Sequence, residues 1–312
     1  MSGTTDPLKG LIKLGRFSHF EDSSGVRIRY ASWEPKEKAR GTVVFLNGRA
    51  EFIEKYIETI SELLAKGYAV WSKDWRGQGL SSRPLLNPRK GHADSFEPLL
   101  SDLHIFLTKI VCPNSEGPYI ALAHSMGGHL VLRYLAEHPG IFAQAVVLSP
   151  MIDIHTRAWP RAVVEKLAKL VVCFGLGDRY VPGMGDADPY QVAFSKNLLT
   201  SDSARFRQTQ AWTIEEPSLG LGGPTYGWMR ATYESIRKLE NPNYVSTINV
   251  PVLFIIAEID RIVINDAQER RVRNMPRAHL ISLAEARHEI MLERDPIRVR
   301  FWEAFDQFID LL

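Results

Sequence analysis

The sequence has only two cysteines, Cys112 and Cys173, among its 312 residues. Two thiols in apolar surroundings provide no disulfide framework, and neither lies at the spacing that metal ligands require. We therefore expect two buried free thiols in a reducing compartment. No metal and no organic cofactor is expected.

Long apolar runs and a surplus of one charge are lacking as well. No stretch approaches the roughly 20 apolar residues that span a bilayer, and residues 1–15 lack the apolar core of a signal peptide. The expected location is therefore the cytoplasm. The 38 Lys and Arg residues against 36 Asp and Glu leave a net charge of +2. Since no basic run is interleaved with aromatic residues, a nucleic-acid partner is not expected.

Short apolar runs alternate with helically spaced segments through most of the chain. An antiparallel pair at the start is followed by repeated strand–helix units, which predict an α/β fold with a mostly parallel sheet and helices on both faces. The predicted strands are Phe17–Phe20, Val26–Trp33, Thr42–Leu46, Tyr68–Lys73, Tyr119–Ala123, Ala145–Leu148, Val252–Ile256 and His279–Leu283. The predicted helices are Ile53–Lys66, Phe96–Val111, Met126–Glu137, Ala267–Asn274 and Ile297–Leu312.

The alternation stops between residues 150 and 249, where helical pieces are separated by segments rich in glycine and proline. This pattern predicts a mainly helical insert between two parts of one core, 1–149 and 250–312. Because α/β sheets place their sites at the carboxyl ends of the strands, we expect the insert to form a cap over that edge.

The segment 121–128 (ALAHSMGG) carries the strongest chemical signal. An apolar strand leads into a small-x-Ser-x-Gly turn followed at once by a helix, which predicts Ser125 as a nucleophile on a strained turn. Ala123 and Gly127 are the small residues that this turn needs, because larger side chains would collide with the adjoining strand or helix. The turn also directs the backbone amide of Met126, at a helix N-terminus, toward a developing oxyanion.

The base should follow the nucleophile late in the chain, since the order in this arrangement is Ser, Asp or Glu, then His. Of five downstream histidines, only His288 lies on a loop after the last strand and before the last helix. The others fall in a helix, at its end, at the start of the insert or in a strand: His129, His138, His155 and His279. We therefore predict that His288 is the general base.

The acid is expected on the loop after the preceding strand, where two carboxylates occur. Asp260 lies further onto that loop and is preferred as the residue that orients His288. Glu258 is placed at the strand end and is the second choice. Asp153, just beyond the strand Ala145–Leu148, is a third location for the acid.

A second oxyanion donor is expected from the loop after the strand Thr42–Leu46. Gly48 permits a close approach of the backbone, and the position of Arg49 assigns the donor to its backbone amide. Its guanidinium, at the mouth of the site, could meet an anionic head group.

Four segments together resemble the monoacylglycerol lipase and lysophospholipase branch of the α/β-hydrolases. They are Asn47–Glu51 (NGRAE), Asp74–Ser81 (DWRGQGLS), His124–Gly128 (HSMGG) and Ala286–Glu289 (ARHE), and they leave only the insert without a motif. Asn47 stands where the branch usually has histidine, and Ala123 where it usually has glycine. Neither change removes a catalytic group. The Asn-Gly-Arg form is more similar to bacterial lysophospholipases than to the animal monoglyceride lipases.

The resemblance implies a serine hydrolase of single-chain lipid esters, with lysophospholipids as first and monoacylglycerols or simple carboxylic esters as second substrates. Two rivals stay open at this point. One is a ligand receptor on the same fold without activity, and the other is an acyltransferase or thioesterase that uses the same residues.

The insert holds large apolar side chains that suit a hydrophobic ligand. Apolar residues between Arg161 and Phe174 recur at helical spacing, which favours a cap helix packed on the core. The sharper hypothesis is a lid that lines an acyl tunnel or makes transient contact with a membrane surface, the protein being then peripheral at the inner membrane. Candidate substrate-binding residues of the insert are Trp159, Leu167, Val171, Trp212 and Trp228.

Overall fold

The computed structural model describes residues 7–156 and 159–310, whose centre is an eight-stranded sheet. The strand order is β1-β2-β4-β3-β5-β6-β7-β8. The pairs β1·β2 and β2·β4 are antiparallel, and all the others are parallel. This confirms the predicted α/β fold. The strands are β1 (Arg16–Glu21), β2 (Arg27–Trp33), β3 (Thr42–Leu46), β4 (Ala69–Lys73), β5 (Tyr119–His124), β6 (Phe142–Leu148), β7 (Val252–Ala257) and β8 (Ala278–Leu283).

The central strands are buried along their whole length because helices cover both faces of the sheet. Every residue of β3, β4 and β7 is buried, as expected for parallel strands that read as continuous apolar runs. Two apolar clusters, one on each face, form the core. The parallel register brings the ends of β3, β5, β6, β7 and β8 to one edge of the sheet.

The helices agree with the predicted pattern apart from shifted ends and a few local differences. The segment predicted as one helix from Ile53 begins with a 3-10 turn, Ile53–Tyr56, and a π-helical stretch, Phe106–Val111, follows α3. Helix α1 was not predicted, and residues 311–312 of the predicted last helix lie outside the described residues. The helices are α1 (Pro7–Leu14), α2 (Ile57–Ala65), α3 (Glu97–Ile105), α4 (Cys112–Asn114), α5 (Met126–Glu137), α6 (Arg161–Cys173), α7 (Ser203–Glu215), α8 (Tyr226–Glu240), α9 (Pro242–Val245), α10 (Asn265–Val272) and α11 (Asp295–Ile309).

Helices α6 to α9 make up the regular structure of residues 150–249, and no strand occurs in the described part of that segment. Ion pairs fasten α7 to the core. The Arg205 guanidinium lies 2.7 Å from a carboxylate oxygen of Glu58 and 2.6 Å from one of Asp295. Short 3-10 turns at Phe194–Lys196 and Pro217–Leu219 occupy the connections on either side of α7.

Helix α6 packs only part of its apolar stripe on the core, through Val164, so the expectation that the stripe packs there is wrong for most of its residues. Only Ala168 of this helix is buried. Two charged residues of α6 face the protein: Arg161 contacts Glu240 of α8, and Glu165 pairs with Arg237 of the same helix, whereas Lys166 and Lys169 are exposed. The side of α6 that carries Arg161 and Glu165 is thus joined to α8. Four apolar side chains are therefore exposed, by 41%, 38%, 56% and 74%: Val163, Leu167, Leu170 and Phe174.

Both cysteines are free thiols, but the expectation that they are buried is wrong. Cys173 at the end of α6 is exposed, and Cys112 is partly buried. The outward rotation of α6 explains the exposure of Cys173, because that residue ends the helix. Within residues 7–156 and 159–310, no helix has the length and apolar character needed to cross a membrane.

Candidate active site

Ser125 lies between β5 and α5 with a left-handed backbone, φ 51° and ψ −114°. Such a conformation is costly for a residue with a side chain, so surrounding contacts must hold it. The Ser125 amide donates to the carbonyl of Leu148 over 2.9 Å, and the Ser125 carbonyl accepts from the amide of Met151 over 3.0 Å. A β-carbon at Gly127 would overlap the carbonyl oxygens of Leu46 and Asn47. The small residue two places after the serine is therefore a steric requirement.

The predicted base, His288, and the predicted acid, Asp260, lie in line with the Ser125 hydroxyl. His288 Nε2 is 3.0 Å from Ser125 Oγ, and His288 Nδ1 is 2.7 Å from Asp260 Oδ2. An ionised carboxylate can only accept, so Nδ1 donates and Nε2 remains free to accept the serine proton. The other oxygen of Asp260 accepts from the amides of Ile262 and Val263, over 2.8 and 3.0 Å. The three side chains thus form one hydrogen-bonded chain at the carboxyl edge of the sheet.

The two alternative acids are engaged elsewhere. Glu258 is exposed and accepts from the amide of Glu285 over 3.0 Å. Asp153 lies 3.0 Å from the guanidinium of Arg161, at the base of α6. Of the three carboxylates considered from the sequence, the structure brings only Asp260 to His288.

The protonation states follow from burial and charge together. Burial alone would lower the pKa of His288, but the Asp260 carboxylate, assisted by Glu289 and Glu51, raises it above the ordinary value. Burial alone would raise the pKa of Asp260, yet the imidazole and the two amide donors hold it below its ordinary value. This arrangement favours an ionised acid beside a histidine that accepts a proton readily.

Hydrogen bonds fix the conformation of the loop after β3 and with it the direction of the Arg49 amide. Glu51 accepts from the amide of Gly48, and Gln78 accepts from the amide of Ala50 over 2.8 Å. The Gly48 carbonyl accepts from Gln78 Nε2 over 3.1 Å. Since a trans peptide points its N–H opposite to its carbonyl, the Arg49 amide is directed away from Gln78.

Neither oxyanion candidate amide is used within the fold. Among residues 7–156 and 159–310, the amides of Arg49 and Met126 have no hydrogen-bond acceptor. Met126 is the first residue of α5, whose N-terminal amides have no partner inside the helix. Gly127 packs directly on the end of β3, one residue before the loop that carries Arg49. The two amides are thus available at neighbouring backbone segments.

A buried ionic network behind the nucleophile was missed in the sequence. Lys55 Nζ is fully buried and lies 2.8 Å from Glu51 and 2.7 Å from Glu289. Tyr190 of the insert donates to Glu289 over 2.5 Å. His124 connects the network to the base, with Nδ1 3.0 Å from Glu51 and Nε2 3.1 Å from the carbonyl of His288. The spacing of Glu51 and Lys55, four residues apart in an apolar stretch, was the available signal.

A small cleft opens beside Met126. Its lining is mixed, and the charged side chains in it are cationic, Arg49 and Arg76. Of the five insert residues proposed to bind substrate, Trp228 lines this cleft; Trp159 and Leu167 are exposed, and Val171 is partly buried on α6. Trp212 lies instead against Lys9 of α1, whose ammonium is 5.3 Å from its ring centre.

Comparison with known proteins places the chain among lipid and ester hydrolases. The family model described as serine aminopeptidase, S33, matches residues 37–295. The chain is 31% identical over 279 residues to a probable lysophospholipase L2 of Haemophilus influenzae, covering 89% of this chain and 86% of that protein. It is 29% identical over 304 residues to lysophospholipase L2 of Escherichia coli, covering 95% and 87%.

A solved structure shares the fold. The monoglyceride lipase of Saccharomyces cerevisiae, as a soluble variant with a substrate analogue, superposes with a TM-score of 0.75 at 22% identity, covering 95% of this chain and 96% of that one.

Proposed function

Because the chain belongs to the serine aminopeptidase S33 family of α/β-hydrolases, we propose that it hydrolyses esters of single-chain lipids, lysophospholipids first and monoacylglycerols second. One observation carries the proposal: a hydrogen-bonded chain, Ser125–His288–Asp260, stands beside two unused backbone amides. Such a constellation is the machinery of acyl transfer through a tetrahedral intermediate.

The proposed reaction has two halves. Ser125 Oγ attacks the ester carbonyl carbon while His288 Nε2 takes the hydroxyl proton, and the amides of Arg49 and Met126 bind the oxyanion. His288 then gives the proton to the departing alcohol, leaving an acyl group on Ser125. A water molecule, deprotonated by the same imidazole, releases the fatty acid. Asp260 stays ionised throughout and stabilises the imidazolium.

The charge of the cleft supports an ester rather than a peptide substrate. An aminopeptidase must hold the free ammonium group of its substrate, which needs an unpaired carboxylate close to the nucleophile. Here the nearby carboxylates, Glu51 and Glu289, are not unpaired, since both contact the buried ammonium of Lys55. Arg49, which lines the cleft and has no carboxylate partner among the described residues, would repel an ammonium group.

Residues 150–249 are proposed to select the substrate, and α6 to make the contact with lipid. Its exposed apolar stripe is flanked by two exposed lysines, Lys166 and Lys169. An apolar face with cationic neighbours suits the boundary of a membrane or micelle that contains anionic lipid. Contact there would be peripheral and transient, and would place the cap where lysophospholipids reside.

The test is a hydrolysis panel with matched acyl chains. Lysophospholipids, monoacylglycerols, acyl-CoA thioesters and short nitrophenyl esters are compared by kcat/KM, with Ser125→Ala as the matched blank. We expect the highest value for a lysophospholipid. Preference for acyl-CoA would indicate a thioesterase, and absence of both turnover and fluorophosphonate labelling would indicate a receptor; either result contradicts the proposal.

A further inference from the structure

The buried and partly buried arginines of the protein fall into two groups by their partners. Arg29, Arg133 and Arg298 each pair with at least one carboxylate. A second group has no carboxylate oxygen within 4.0 Å in the described residues, and it includes Arg49, Arg83, Arg89 and Arg271. A guanidinium removed from water without a counterion is costly, so Arg83 and Arg49 need other partners.

Arg83 is explained by the fold. Its guanidinium donates to the carbonyls of Gly77, Gly79 and Ser218 at 2.7, 2.9 and 2.6 Å. These bonds fix the loop after β4 to the turn Pro217–Leu219, and they use the group fully.

Arg49 is only partly explained. One nitrogen, Nη2, donates to the carbonyl of Gly222 over 2.6 Å, and the guanidinium lies 5.1 Å from the ring centre of Trp228. Nε is buried and has no partner in the described part of the chain. Burial lowers the pKa of Arg49 to about 10, so the group stays charged at neutral pH. Unlike Arg83, this side chain lines the cleft beside Met126.

The electrostatic surroundings leave room for an anion. Asp188 favours the charge of Arg49 from beyond ion-pair distance, together with Tyr180. Its carboxylate is buried and accepts from the amides of Tyr190 and Leu221 over 2.8 and 3.2 Å. The second cation of the cleft, Arg76, is already paired with Asp22 and Asp102. Arg49 is therefore the available cation of the cleft.

We propose that the Arg49 guanidinium binds the phosphate of a lysophospholipid head group, an inference that rests on the proposed hydrolysis of lysophospholipids. The phosphate and the scissile ester are separated by the three carbons of glycerol, a span comparable to an arginine side chain. The Arg49 amide and the Arg49 guanidinium would thus contact the two ends of one glycerol ester. The cation also offsets repulsion between the phosphate and the oxyanion that forms nearby.

The experiment compares two esters that differ only in the phosphate. The kcat/KM values of a palmitoyl lysophospholipid and monopalmitoylglycerol are measured in neutral mixed micelles for wild type, Arg49→Met, Arg49→Lys and Arg83→Met. Disturbance of the oxyanion loop lowers kcat/KM for both substrates together. Loss of a phosphate contact lowers kcat/KM only for the lysophospholipid. The ratio of the two values therefore isolates the head group.

We expect the ratio to fall at least about tenfold in Arg49→Met, the scale of one charge-assisted hydrogen bond. Arg49→Lys should restore part of it, and Arg83→Met, the matched control, should leave it unchanged. If Arg49→Met lowers both substrates equally while wild type still prefers the lysophospholipid, this inference is overturned and the proposed function stands. Wild-type turnover of monopalmitoylglycerol alone would instead overturn the proposed first substrate.

A competition experiment tests the proposed phosphate contact of Arg49 without lipid turnover. Glycerol 3-phosphate is tested as a competitor of nitrophenyl butyrate hydrolysis, with inorganic phosphate alongside. Competition by glycerol 3-phosphate that weakens at least about tenfold in Arg49→Met supports the inference. Equal competition by inorganic phosphate would assign the site to a free anion and overturn the head-group assignment, as would absence of competition in wild type.

Discussion

At the carboxyl edge of the sheet, charged side chains are buried, whereas on α6 large apolar side chains are exposed. Both arrangements reverse the usual distribution of residues. At the sheet edge, the Lys55 ammonium pairs with two buried carboxylates inside the chain. On α6, no described residue covers Leu170 or Phe174, which are 56% and 74% exposed. The charges of the first region thus have partners within the chain, and the second region is suited to a contact outside the chain.

The difference separates chemistry from substrate capture. The catalytic candidates depend on distances of about 3 Å between fixed groups, which only a rigid, internally paired region maintains. An apolar surface needs no such precision, because burial of apolar area is favourable in many orientations. The following predictions test this contrast, from the largest expected effect to the smallest.

Removal of the nucleophile or the base should have the largest effect. We expect Ser125→Ala and His288→Ala each to reduce kcat toward short nitrophenyl esters by several orders of magnitude, and the double variant to be little worse. Members of one catalytic unit do not contribute additively. Steady-state kinetics measure the loss, and unchanged thermal unfolding serves as the control. Near-normal turnover by Ser125→Ala would contradict the assignment.

Asp260→Asn should lower kcat by a factor on the order of 10⁴, because the amide favours the wrong imidazole tautomer. Glu258→Gln and Asp153→Asn are matched controls, expected to have far smaller effects since neither carboxylate reaches His288. A larger loss in Asp153→Asn would move the acid to the loop after β6.

The Asp260→Asn variant should also differ from wild type in the pH dependence of its activity. The pKa of His288 is raised above its ordinary value of about 6.5, and only the neutral imidazole accepts the serine proton. Activity should therefore rise with pH through a midpoint above about 6.5 and be lost as His288 is protonated below it. Removal of the Asp260 charge should shift that midpoint of kcat/KM to lower pH. If the midpoint does not move, the rise of activity with pH reports the titration of a group other than His288.

Lys55→Met tests whether the buried network is complete in itself. The change keeps the volume but leaves Glu51 and Glu289 without a counterion, so we expect the free energy of unfolding to fall by about 3–5 kcal/mol. Lys66→Met is the matched control: the Lys66 side chain is 26% exposed and pairs with Asp306 at the surface, a contact that contributes about 0–1 kcal/mol. Urea unfolding measures the free energy of unfolding of both variants. Equally small losses in the two would contradict the expected difference between buried and surface charges.

The exposed stripe should give the smallest effect on stability but a clear effect on lipid binding. Leu170→Asp and Phe174→Asp should change the free energy of unfolding by less than about 0.5 kcal/mol. Each should weaken binding to anionic vesicles about tenfold, since a buried Leu or Phe contributes about 1.5–3 kcal/mol. Val299→Asp, at a 53% exposed position of α11, is the matched control. Unchanged vesicle sedimentation in the α6 variants would show that α6 does not meet the lipid.

The parts of the fold that depend on local periodicity were predictable. Strand β3 and helix α5 match their predicted bounds at both ends, because a continuous apolar run and a small-x-Ser-x-Gly turn are local signals. The positions of Asp260 and His288 at the sheet edge followed from counting strands. Their hydrogen bond, between residues 28 apart, is the consequence of two parallel strands that end side by side.

The buried network was not predictable from local pattern. Lys55 and Glu289 are 234 residues apart, and neither residue type is expected inside a protein. Tyr190 enters from an insert without a motif. Only the folded chain shows that these charges meet and that they lie directly behind His288.

The sequence by itself determined the α/β alternation, the strained serine turn and the order of nucleophile, acid and base, because each follows from backbone geometry over a few residues. The tertiary structure alone decided which side of α6 faces outward and which charged groups of the described residues have a counterion. An amphipathic pattern defines two sides of a helix without saying which one meets the protein. That choice depends on the element against which the helix packs, here α8, whose Glu240 pairs with Arg161. The same holds for Arg49, since the lack of a carboxylate partner is a property of the whole surrounding shell.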